Sequence, residues 1–132
     1  MGAVNRKEPM EVREFSRLVN HITVATTFVE EARLVDDLTA VRHPTVVSFI
    51  NANTMNIARD DKMLFQDLLA SSMLLRDGIG MSILLRMTGR SPGRNSNGTD
   101  LIPKVANEFK GRSVALLGTE DAYVRKAADY AK

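Results

Sequence analysis

The residues of this chain best suited to chemistry are acids and amides that directly follow apolar runs. In Leu74-Leu75-Arg76-Asp77-Gly78-Ile79-Gly80-Met81 an apolar run breaks at a charged pair and a Gly-x-Gly turn, and an apolar segment of helical period, Ile79 to Met87, follows at once. That order reads as a strand feeding a helix. In such a turn the Asp77 carboxylate stands at the C-terminal edge of a sheet, where open α/β folds place their ligands. There it can act as a general base toward a substrate hydroxyl, with Gly78 and Gly80 leaving room for close approach.

Two further polar clusters have the same setting: Asn51-Ala52-Asn53-Thr54 after one apolar run, and Gly118 to Asp121 after another. In a parallel sheet all three lie along one edge, where helix N-termini aim N–H groups at anions such as a diphosphate, a geometry suited to a nucleotide-linked substrate. A plainer account of the same residues is that Asn and Asp cap helices and Gly relieves strain in turns. Other chemistries find less support. Asp60 and Asp61 are adjacent within a helical pattern and point in different directions, so they belong to a solvated face rather than a metal site. His21 and His43 lack partners at ligand spacing and read as structural or surface residues. Gly78-Ile79-Gly80 lacks the third glycine of a dinucleotide fingerprint. Neither a metal nor a cofactor is expected.

The elements that must carry these residues are legible in the periodicity. Residues 1–14 show no clean period and read as a flexible lead-in, with the folded unit spanning 15–132. Arg17 to Val24 is β-branched and roughly alternating, which predicts a first strand or hairpin arm. Thr27 and Glu30 have capping-box spacing before a helix over about 27–41. Arg42-His43-Pro44 breaks it, and Thr45 to Ile50 is the strongest strand. One helix, or two broken near Asp60-Asp61, leads to a third strand at Met73–Leu75. Thr88 to Gly98 is a polar loop. Thr99 is expected to cap a helix running to about Phe109, with Pro103 in its first turn. Ser113 to Leu117 predicts a fourth strand, and Thr119-Glu120-Asp121 opens a last helix. The alternation predicts an α/β, Rossmann-like fold: a mostly parallel sheet with helices on both faces, ending after about four strands.

Composition narrows the class. Within 132 residues, 18 basic and 16 acidic side chains are spread evenly, so no basic stripe argues for nucleic acid. The absence of cysteine excludes disulfides and thiol-based metal or redox sites and fits a reducing, cytoplasmic setting. No apolar run approaches the roughly 18 residues needed to span a bilayer, and the N-terminus lacks a signal-type apolar region.

Taken in series, four of these segments resemble the WecG/TagA/CpsF glycosyltransferases of bacterial surface-polysaccharide synthesis. They are Phe49-Ile50-Asn51-Ala52-Asn53, Leu75-Arg76-Asp77-Gly78-Ile79-Gly80, Asn95-Ser96-Asn97-Gly98-Thr99-Asp100-Leu101-Ile102-Pro103 and Val114-Ala115-Leu116-Leu117-Gly118. The resemblance implies transfer of an N-acetylmannosamine-type or related sugar from a UDP donor to a lipid-diphosphate-linked sugar acceptor at the inner face of the cytoplasmic membrane, with no metal. It makes Asp77 the general base and Asn51 a pocket residue. Asn53, Thr54, Gly78, Gly80 and Gly118 fall in the matching segments, and the Asn97-Gly98-Thr99-Asp100 turn is expected to add backbone N–H groups and the Asp100 carboxylate to the same pocket. Two departures stand out. Phe49 occupies a position where many members carry Thr. The family domain continues for about as long again, so 15–132 corresponds to its N-terminal part, and the basic segment that engages the membrane lies beyond it. The competing expectation is a non-catalytic nucleotide- or sugar-binding fragment that pairs with another chain, including as an oligomer that completes the sheet.

Overall fold

The computed structural model describes residues 11–118 and 120–130. Its first element is a helix, α1 (Val12–His21), opened by Glu14, whose carboxylate accepts the Glu11 backbone N–H at 3.1 Å. Phe15, Leu18 and Val19 turn onto the core, and β1 is confined to Ile22–Thr23. The strand expected from Arg17 is therefore mostly helix, and order begins before residue 14. The three-then-one-then-three spacing of Phe15, Leu18, Val19 and Ile22 satisfies a helical period, and burial of that face overrides the β-branched composition. The rest of the expected lead-in, residues 1–10, lies outside the described residues.

Helix α2 (Phe28–Thr39) starts as the sequence predicts. The Thr27 hydroxyl accepts the Glu30 N–H at 3.1 Å, and the Glu30 carboxylate accepts the Thr27 N–H at 3.3 Å. Strand β2 (Val47–Ile50) leads to α3 (Ala52–Asp60) and α4 (Lys62–Ala70). These are two helices because Asp61 interrupts the first and caps the second, accepting the Met63 and Leu64 N–H groups at 3.0 and 3.1 Å. Strand β3 (Met73–Arg76) runs into α5 (Gly78–Met87). Helix α6 (Gly98–Glu108) is capped by Asn97, not Thr99, and Pro103 sits in its second turn rather than its first. Helix α7 (Asp121–Tyr130) carries exposed Tyr123 and Tyr130 and buries no side chain. The expected cap for this helix, Thr119, lies outside the described residues.

Among the described residues three strands form a parallel sheet in the order β1-β3-β2, with Ile22 opposite Leu74 and Ile50 opposite Arg76. Alternation along the strands divides the core. Ile22, Ile50 and Leu74 face α1, α3, α4 and α5, while Val47, Phe49, Met73 and Leu75 face α2 and α6. Each fully buried Leu or Ile stabilises the fold by roughly 2 kcal/mol. The predicted class, an α/β parallel sheet covered on both faces, holds. The fourth strand does not: Ser113–Leu117 is irregular, with Val114 and Leu116 exposed and Leu117 99% exposed. A β-prone run with no paired neighbour gains too little to offset the entropy of ordering it.

Candidate functional site

The site begins where β2 and β3 end together. The backbone N–H of Asp77 donates to the Ile50 carbonyl at 2.8 Å, so Asn51 and Asp77 start their helices side by side. Gly80 makes this possible, since a Cβ there would meet the Ala52 Cβ at 2.9 Å, closer than real side chains pack. The start of α6 joins them: a Cβ on Gly98 would lie 3.8 Å from the Phe49 ring on β2. The N-termini of α3 and α5, each a positive dipole end, thus open together at the ends of β2 and β3, and that of α6 lies against Phe49 near the end of β2.

The caps differ in a way that bears on function. The Asn51 side-chain oxygen accepts the Thr54 N–H at 2.8 Å and its hydroxyl at 3.0 Å. The Asn97 oxygen accepts the Asp100 N–H at 2.7 Å. Both do what the plain account assigns to them. Asp77 occupies the equivalent position before α5, yet its half-buried carboxylate makes no capping bond. Asn53, Thr99 and Asp100 are exposed on the first turns of their helices, and Thr54 and Gly78 are half-buried. Gly118 is not brought to this edge by a strand, because the run before it is irregular.

Phe49 explains its own departure from the pattern. It packs with Leu34, Leu38, Leu75 and Leu101 and lines an apolar cleft of about 460 Å³ between α2, α6 and β2. That cleft lies on the sheet face, away from Asp77.

Periodicity did not flag the groups that hold the site in place. Adjacent strands β1 and β3 send the chain to opposite faces, to α2 and α5, which creates the crevice where open α/β sheets hold ligands. Here the segment from Arg90 to Ser96 fills it. Arg90 donates to the carbonyls of Val19 and, at 2.9 Å, Ile22; the Arg94 N–H donates to Ala25 at 2.7 Å. Gly93, at φ +58°, lies so close to Val24 and Ala25 that a Cβ would overlap both. Buried Glu31 on α2 accepts from Arg94 and from Lys104 of α6, each at 2.6 Å, and Arg94 also stacks 3.4 Å from the Phe28 ring centroid. The hydrogen bonds from Lys104 and Arg94 hold the Glu31 carboxyl below its usual range, against the opposing effect of burial. Arg76, only 5% exposed, reaches four oxygens around Asp77 and the loop. Burial pushes its guanidinium down from its ordinary value, and Arg86 adds to this while Asp77 opposes it. A lone charge closing an apolar strand was the signal available in the sequence.

Asp60 pairs with Arg59 at 3.1 Å and Asp61 is a cap, consistent with a solvated face. His21 contacts the Ser71 carbonyl at 2.9 Å. Among the described residues no group of acids and histidines is arranged to hold a metal, and no helix is long and apolar enough to cross a membrane.

Against this geometry, the profile of the glycosyl transferase WecG/TagA/CpsF family matches residues 17–132. The chain belongs to that family of glycosyltransferases. No curated protein and no solved structure matches it.

Proposed function

We propose that this chain supplies the sheet edge at which an N-acetylmannosamine-type or related sugar passes from a UDP donor to a lipid-diphosphate-linked sugar, at the cytoplasmic face of the membrane. In that reaction the Asp77 carboxylate takes the proton of the acceptor hydroxyl, and the freed oxygen attacks the anomeric carbon. The bond from that carbon to the diphosphate breaks, and UDP leaves with the electron pair. The N-termini of α3 and α6, with Asn51 and the Asn97–Asp100 turn, face the diphosphate and offset its growing charge. The observation that carries this reading is the Asp77 carboxylate, which starts α5 beside the capped N-terminus of α3 without capping its own helix.

Transfer of radiolabelled sugar from a UDP-sugar to a lipid-diphosphate-linked acceptor tests it. Asp77→Asn is expected to lower the rate by about two to four orders of magnitude. Unchanged transfer in that variant would remove the catalytic role.

A second reading, a binding fragment completed by another chain, draws on β2. Among the described strands β2 pairs only with β3, and the apolar cleft opens beside it. Calorimetry with UDP and sedimentation of the chain separate the two. A monomer that folds cooperatively and binds UDP counts against the need for a partner.

A further inference from the structure

The guanidinium of Arg76 is a buried charge with no carboxylate hydrogen-bonded to it among the described residues. Nε donates to the Pro92 carbonyl at 2.5 Å and Nη2 to the Gly93 carbonyl at 3.0 Å. Nη1 donates to the Asn95 side-chain oxygen at 3.2 Å and, at 3.4 Å, to the Gly78 carbonyl. One nitrogen therefore touches both the turn that follows Asp77 and the loop that leads into the Asn97 cap. Burying a charge among neutral acceptors costs more than burying an apolar side chain of the same size, so stability alone does not account for it.

We propose that Arg76 is a positioning residue, which fixes the Asn97–Asp100 turn relative to the Asp77 turn so that α5 and α6 present their N-termini to one ligand. The fork geometry is what does this. Its nitrogens diverge in a plane and reach acceptors on separate segments, whereas a lysine ammonium offers one point and cannot span them. Gly93 completes the arrangement, because only a residue without Cβ lets the loop lie close enough to the end of β1 for Arg76 to reach it. The identity of the ligand, a nucleoside diphosphate, rests on the glycosyltransferase reading; the bridge between the two turns does not.

The test uses Arg76→Lys and Arg76→Ala, with amide hydrogen exchange as one arm and calorimetry with UDP as the other. In Arg76→Lys the Arg94 and Asp100 amides are expected to exchange about tenfold faster, while the Met73 amide in the sheet keeps its wild-type rate. UDP affinity falls by a similar factor of about ten. In Arg76→Ala the same changes are larger, and guanidinium ion, added far below the concentration that unfolds the protein, restores both. Wild-type exchange at Arg94 and Asp100 in Arg76→Lys would overturn the proposal, as would faster exchange throughout the sheet. Absence of UDP binding by the wild-type chain would remove the donor reading and leave the exchange arm to decide the bridge.

Discussion

Ile50 and Asp77 are joined backbone to backbone, the N–H of one donating to the carbonyl of the other at 2.8 Å across the ends of neighbouring strands. This bond fixes where α3 and α5 begin, and it is independent of the Asp77 side chain. Replacing the carboxylate therefore leaves the edge in place. Asp77→Asn is expected to change stability by less than about 0.5 kcal/mol in chemical denaturation while transfer collapses. A large loss of stability would show that the acid is structural.

The two asparagines should behave in the opposite way. Their oxygens cap α3 and α6, so Asn51→Ala and Asn97→Ala are each expected to cost about 1 kcal/mol, read as a lowered unfolding midpoint. Asn51→Asp retains an acceptor for the same N–H and should recover most of that loss. If both alanine variants unfold like the parent, the capping bonds contribute nothing.

Glycines 89 and 93 allow backbone strain to be separated from contact. Both have positive φ, 77° and 58°, but a Cβ meets nothing near Gly89 and overlaps Val24 and Ala25 at Gly93. Gly89→Ala should cost about 1 kcal/mol from conformation alone, and Gly93→Ala clearly more, with faster exchange along the 90–96 loop. Equal costs in thermal unfolding would contradict the close approach.

Acid should release the link between α2, α6 and the loop. The folded Glu31 carboxyl is held below its ordinary 4.5 by Lys104 and Arg94, so its contribution is complete above that value. It is lost as pH falls from about 4.5 through the lower folded value, because the unfolded chain then binds the proton first. Glu31→Gln should remove this part of the acid dependence and cost about 2 kcal/mol at neutral pH, a figure reduced for the half-exposed Lys104. An unchanged slope between pH 5 and 3 would show that the pairing contributes no stability.

Much of the fold was legible because burial and local chemistry agreed. Thr27 with Glu30 forms the capping box that its spacing predicts, the run from Val47 to Ile50 is a strand, and the Gly-x-Gly turn at Asp77 joins a strand to a helix. Two predicted strands failed where those signals disagree. Val19 is β-branched, yet its spacing with Phe15 and Leu18 suits a helix face, and packing decided in favour of the helix as far as His21. Ser113–Leu117 has the composition of a strand, but a strand also needs a neighbour, which composition does not supply. Of the three clusters expected along one edge, those at Asn51 and Asp77 start side by side, whereas no strand brings the Gly118 cluster to them. The arginines that hold that edge were missed because their partners are mostly backbone carbonyls on distant segments, and no local pattern encodes those.

Helix α7 has a consequence for how this protein will unfold. In helix–coil terms ten residues with no buried side chain fall short of the roughly twelve to fifteen that hold a free helix in water, and the exposed Asp121–Arg125 pair adds only a few tenths of a kcal/mol. This segment melts at lower temperature than the sheet. Both tyrosines of the chain, Tyr123 and Tyr130, ride on it, and there is no tryptophan. Intrinsic fluorescence will therefore follow the fraying of one helix, and only circular dichroism or hydrogen exchange will follow the core.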